Sequence, residues 1–160
     1  MLAVMLPERE LRSLLPPEVS ISLINGPDLC VIAGSVAPVA EFETMLQARG
    51  VICRHVQNGH AFHSRMLDPI VSAFETEVRK VRLNKPRIPY ISNVTGTWIT
   101  EREALDPAYW AMHANHTVRF DAALRELWRL ENPILLDAGP GRTLGVLAMQ
   151  HPDRSRSPAG

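Results

Sequence analysis

Hydrophobic positions change their period along this chain, and each change marks an element. Residues 2–6 form a short apolar run ending at Pro7, after which Leu11, Leu14 and Leu15 in "ERELRSLL" share one helical face until Pro16-Pro17 stops the helix. "VSISLI" then alternates apolar and polar residues, Asn25-Gly26-Pro27-Asp28 reads as a turn, and "LCVIAG" is a second β-rich run, which together predict a hairpin. Ser35 stands where an N-cap belongs, ahead of a helix carrying Val39, Phe42, Met45 and Leu46 on one side. Gly50 breaks that helix before the strand "VICRHV". The predicted order is β-α-β-β-α-β, the split βαβ of a ferredoxin-like lobe whose two helices cover one face of an antiparallel sheet.

The second region has a different rhythm. Asp68-Pro69 predicts a helix start with Asp as cap, and Ile70, Val71, Phe74, Val78 and Val81 follow at helical spacing. Strands are expected at "IPYISNVTG" and "TWIT", helices over 107–114 and 120–130, a strand at "ILLDAG", and a short helix over 142–150 after the turn "GPG". With three strands expected here, two of them close together, the sheet of an α/β layer looks incomplete. The last residues, 151–160, are polar and Pro-containing and are expected to form a loose tail or linker.

Composition narrows the field. The 160 residues are 46% hydrophobic and 21% charged, enough for a real core, and Lys+Arg and Asp+Glu both total 17, which leaves no overall basic field to gather nucleic acid. Cys30 and Cys53 lie in apolar strand-like runs, where reduced core thiols are expected and a cytoplasmic setting fits. No stretch reaches membrane-spanning length, and the opening apolar run is too short for a signal peptide.

The chemistry concentrates in "NGHAFHSRMLDP", with His60 and His63 three residues apart. His63 has two open readings, a general base for a Ser or Cys nucleophile, or a histidine that caps the helix after it. None of the nine serines sits on a Gly-x-Ser-x-Gly elbow. A metal clip from His60 and His63 with His55 and Cys53 would lack any acidic ligand, so metal binding is not expected. "DAGPG" lacks the lysine and spacing of a phosphate loop and reads as a strand-to-helix turn.

Four ordered blocks, "NGHAFHS", "YISNVTGTWIT", "DPAYWAMHANHTVRF" and "LLDAGPGRTL", closely resemble the second half of the acyltransferase domain of modular polyketide synthases. "INGPDLCVIAG" and "LQARGVICRHV" resemble the small ferredoxin-like subdomain of the same domain. The resemblance implies an α+β / α/β architecture, with a ferredoxin-like subdomain over 1–58, an incomplete α/β hydrolase-like portion over 59–150, and the tail over 151–160. It implies loading of a malonyl unit from malonyl-CoA onto a serine and then onto the phosphopantetheine thiol of an acyl carrier protein, with no permanently bound cofactor.

The same resemblance implies that His63 is the catalytic base and that His113 lends a backbone carbonyl to its ring. It implies that His60 and Phe62 sort extender units, Phe62 filling the space a methyl branch would need. The Gly-His-Ser-x-Gly elbow is absent from the sequence, so the nucleophile would come from a missing N-terminal half, beside adjacent synthase domains. Negligible transfer by this chain alone and self-association through exposed apolar surface are therefore expected. The alternative from another class is a non-catalytic module docking a carrier protein or neighbouring domain through Arg49, Arg54 and Arg65. Neither membrane nor nucleic acid is expected as a partner.

Overall fold

The computed structural model describes residues 1–57 and 60–156. The first region runs β1 (Leu2–Val4), α1 (Glu8–Leu14), β2 (Val19–Gly26), β3 (Leu29–Gly34), α2 (Val36–Ala48) and β4 (Cys53–His55), the order that the hydrophobic periods predict. The second region follows as α3 (Asp68–Val78), α4 (Glu101–Ala104), α5 (Pro107–Asn115), β5 (Val118–Arg119), α6 (Phe120–Leu127) and α7 (Thr143–Gln150), with 3₁₀ turns at Arg65–Leu67 and Pro152–Arg156.

The five strands form one sheet in the order β4-β1-β3-β2-β5, antiparallel except for the parallel pair of β2 and β5. Pro27-Asp28 turns β2 into β3, and Val39, Phe42 and Leu46 of α2, with Leu11 of α1, close a core over Leu2, Val4, Ile21, Ile24 and Ile32. Gly50, at φ +76°, ends α2 as its sequence position predicts, because a left-handed residue there costs glycine little. Ser35 holds the N-cap position of α2 but makes no side-chain cap bond.

Val4 is the register partner of both Cys30 and Cys53, so the thiols sit two strand spacings apart, roughly 9.6 Å, beyond the span of a disulfide. Both are free, and burial pushes the Cys30 thiol up to about 12, which makes it inert.

The second region departs from its predicted strands. "IPYISNVTG" and "TWIT" close instead as a tight hairpin with one isolated bridge, Ile91 to Trp98. Its turn is fixed by Ser92 Oγ, which accepts from the N–H groups of Val94 and Thr95, and by Gly96 at φ +72°. A Cβ on Gly96 would fall 2.5 Å from Ala122 Cβ, so the backbone approaches α6 too closely for any side chain. "ILLDAG" is no strand and pairs with none among the described residues, and Ile134 and Leu136 are 95% and 89% exposed. Asp68 lies inside α3 rather than capping it, with Leu67 at the cap position.

The expected loose tail begins with an anchored residue. His151 is buried, its Nε2 is 3.1 Å from Asp121 Oδ1 on α6, and its Nδ1 accepts from the Asp153 N–H, with residues 152–156 in a 3₁₀ turn. Residues 157–160 of that tail lie outside the described residues.

Leu46 is fully buried in the core of the first region. Leu46→Ala is expected to lower the unfolding free energy by about 2–5 kcal/mol in urea, whereas Val36→Ala, at an 88% exposed position, is expected to change it by less than about 0.5 kcal/mol.

Candidate active site

β2 sets the geometry of the site. Its register against β3 runs Ile21 to Ile32 and then Leu23 to Val31, so Ser22 is the extra residue of a β-bulge. Ser22 is fully buried, and its hydroxyl donates to the Phe62 carbonyl at 2.7 Å. On the other side of His63, the buried Ser64 hydroxyl donates to the Ala61 carbonyl at 2.6 Å and accepts from the Met66 N–H. Ser20 Oγ accepts from the Arg65 N–H at 3.3 Å. These bonds hold the segment on both flanks of His63, which sits at φ +54°, a left-handed conformation that a residue with a Cβ keeps only under such constraint.

His63 is half-buried and lines an open cleft of about 630 Å³, together with Arg12, Ser20, Arg65, Asp68, Asn115 and His116. Its Nδ1 is buried and makes no hydrogen bond among the described residues, which leaves Nε2 as the nitrogen available to a ligand.

The other wall comes from α5 and β5. Thr117 Oγ1 donates to the Ile21 carbonyl at 2.7 Å, and Val118 and Arg119 pair with Leu23 and Ile24 of β2. This pairing brings the end of α5 to the same strand that holds the His63 segment. The His113 and His63 rings are 6.1 Å apart in an edge-on arrangement. Burial first, and the nearby His63 second, hold His113 below the ordinary histidine range. The carbonyl contact to His63 Nδ1 implied for His113 is not formed.

His60 is exposed with its ring 5.6 Å from that of Phe62, whose side chain is 45% exposed. Asn58 and Gly59 of the "NGHAFHS" block lie outside the described residues. Among the described residues no three His, Cys, Asp or Glu side chains converge on a metal position, and His55 pairs with Glu43 at 2.9 Å. Arg65 opens on the cleft beside β2, while Arg54 lies on edge strand β4 with β1 and β3 between, so these arginines make no single patch. Among the described residues no helix is long and apolar enough to cross a membrane.

Sequence inspection missed Ser22, Ser64, Asn115 and His116. Alternation in "VSISLI" puts Ser22 on the polar side with Ser20, where it reads as solvent-facing, but the segment around His63 packs over it and buries it.

Ser22→Ala leaves the Phe62 carbonyl without its donor and is expected to cost about 1–2 kcal/mol of stability in urea. The neutral form of His113 is favoured by the fold, so its contribution is fully present above the ordinary histidine pKa and is lost as pH falls through its own lower value. An NMR titration should place its midpoint below about 6.5, and His63→Ala should raise it only part of the way back, since burial is the larger cause.

Residues 1–151 match the family described as the acyl transferase domain. A subunit of the phenolphthiocerol/phthiocerol polyketide synthase of Mycobacterium tuberculosis is 35% identical over 152 residues, covering 95% of this chain and 10% of that protein. The acyltransferase domain of SpnD, in complex with 2-(pent-4-yn-1-yl)malonyl, superposes with a TM-score of 0.87 at 38% identity, over 92% of this chain and 36% of that one. A malonyl CoA-acyl carrier protein transacylase from Burkholderia pseudomallei gives a TM-score of 0.83 at 25% identity, over 99% of this chain and 57% of that one. The chain thus spans less than two thirds of each of these proteins. Matched over nearly its whole length and related to synthase domains that share its fold, the chain belongs to the acyl transferase domain family, of the kind that polyketide synthases carry.

Proposed function

We propose that this chain supplies the proton-transferring half of an acyltransferase domain that loads malonyl units from malonyl-CoA onto an acyl carrier protein through an acyl-serine. The observation that carries the proposal is His63, held in a strained backbone with Nδ1 buried and its ring at an open cleft. A serine hydroxyl attacks the thioester carbonyl while His63 Nε2 takes its proton. The tetrahedral intermediate then expels coenzyme A, and His63 returns that proton to the departing sulfur. In the second half the carrier's phosphopantetheine thiol attacks the serine ester, His63 takes the thiol proton, and the serine oxygen recovers it. No permanently bound cofactor takes part.

A carbonyl closing on Nδ1, that of His113, would fix the tautomer that keeps Nε2 a base. His60 and Phe62 are the residues that sort the acyl group, Phe62 by filling the space of a methyl branch. The subdomain organisation proposed is a ferredoxin-like lobe over 1–58 and part of an α/β hydrolase-like lobe over 59–150, supported by the sheet order and by the unpaired, exposed "ILLDAG" segment. The serine elbow comes from residues this sequence does not contain, so the isolated chain is inactive. The exposed apolar residues Ile134, Leu136 and Val146 are where the rest of such a domain, or a second copy, would pack. The setting proposed is cytoplasmic, within a synthase.

In a domain assembled from this chain and a polypeptide carrying the serine elbow, His63→Ala is expected to cut transfer of labelled malonyl to a carrier protein by at least about a thousandfold. Transfer that survives this change would reject His63 as the base. Phe62→Ser in the same domain is expected to raise use of methylmalonyl-CoA relative to malonyl-CoA by about 10- to 200-fold, read by competition between the two thioesters.

A further inference from the structure

The cleft holds a second imidazole, His116, and an arginine, Arg65, that proton transfer does not use. Asn115 Nδ2 donates to Asp68 Oδ1 at 2.8 Å, since a carboxylate can only accept. The other side of that amide, Oδ1, lies 2.8 Å from His116 Nδ1, which must therefore carry the proton. Asp68 and Asn115 thus fix the tautomer of His116, and its Nε2 is left as an acceptor at the exposed side of the cleft.

Arg65 stands on the facing element, the 3₁₀ turn that follows His63. Its backbone is tied to Ser20, its guanidinium makes only a 3.5 Å contact to the Pro17 carbonyl, and no carboxylate lies within ion-pair distance among the described residues. Arg12, also on the cleft, is different, because Glu8 holds its guanidinium at 2.6 Å. Asp68, the acidic residue of the cleft, is engaged by Asn115. Arg65 therefore brings an uncompensated planar fork of donors to the same opening where His116 brings an oriented acceptor.

We propose that Arg65 and His116 form a subsite for the phosphopantetheine arm, Arg65 taking the phosphate and His116 Nε2 accepting from an amide or hydroxyl of the arm. The pairing matches the ligand, in which an anionic phosphate is followed by hydroxyl and amide donors and ends in the sulfur that must reach His63. This rests on the acyl-transfer function, which supplies a pantetheine thioester as the ligand. The same phosphate can arrive on coenzyme A or on a carrier protein.

The test is calorimetric titration of the 160-residue chain with pantetheine, 4′-phosphopantetheine, coenzyme A and a holo-carrier protein. The chain should bind 4′-phosphopantetheine more tightly than pantetheine, and Arg65→Gln should weaken the phosphorylated ligand by about 10- to 100-fold while leaving pantetheine unchanged. Arg65→Lys should restore part of the loss, because the charge returns without the fork. His116→Ala should weaken both ligands by about 3- to 10-fold. Both side chains are exposed, and unchanged urea midpoints would show that the variants fold. A loss confined to coenzyme A assigns the subsite to the donor, a loss confined to the carrier protein assigns it to the acceptor, and a loss in both assigns it to each in turn. Equal affinity for pantetheine and 4′-phosphopantetheine, or an Arg65→Gln variant that keeps the preference, overturns the proposal. Binding is read without transfer, so a failure of this subsite is separable from a domain in which His63 proves dispensable.

Discussion

Strand β2 holds both walls of the cleft through consecutive residues, and the site depends on that. Ser20 and Ser22 bind the segment around His63, Ile21 accepts from Thr117, and Leu23 and Ile24 pair with β5 at the end of α5. Ser20 and Ser22, two residues apart, reach the same segment, and the bulge at Ser22 shifts the register beyond it so that Ile21 and Ile24 both stay in the core. A short piece of backbone thus fixes two loops that are about fifty residues apart in sequence, and the edge-on approach of His63 and His113 follows from it.

Strain and an unpaired atom occur together at His63. A left-handed backbone costs on the order of 1–2 kcal/mol for such a residue, and its buried Nδ1 has no partner among the described residues. A surface histidine that merely capped a helix would carry neither feature. Indeed the cap bond of the following 3₁₀ turn is made by Ser64, whose hydroxyl accepts from Met66, so the capping reading of His63 has no geometric support.

The first fifty residues were largely legible, because each element there buries its own apolar face within the chain and the period of the sequence reports it. Leu11, Val39, Phe42 and Leu46 all lie in the core at the spacing that predicts their helices. Beyond His63 the helices still follow their period, as α3, α5, α6 and α7 show, but the strand signals mislead. "ILLDAG" has the composition of a central strand, but a strand needs neighbours, and its apolar side chains stand in solvent. β5 is two residues long and carries no period at all, while Ser22 hides behind an ordinary alternation. The pairing of His63 with His113 came from family resemblance, whereas the Asp68, Asn115 and His116 chain is visible only once α3 and α5 are packed together.

Acyl transfer through this fold requires that His63 present its Nε2 to a thioester entering the cleft. The most direct measurement is alkylation by bromoacetyl-coenzyme A after the thiols are blocked, with the modified histidine located by peptide mass spectrometry. The expected result is label on His63 ahead of the more exposed His55 and His60, suppressed by coenzyme A. Label that follows solvent exposure alone, with His63 spared and no protection by coenzyme A, would contradict it.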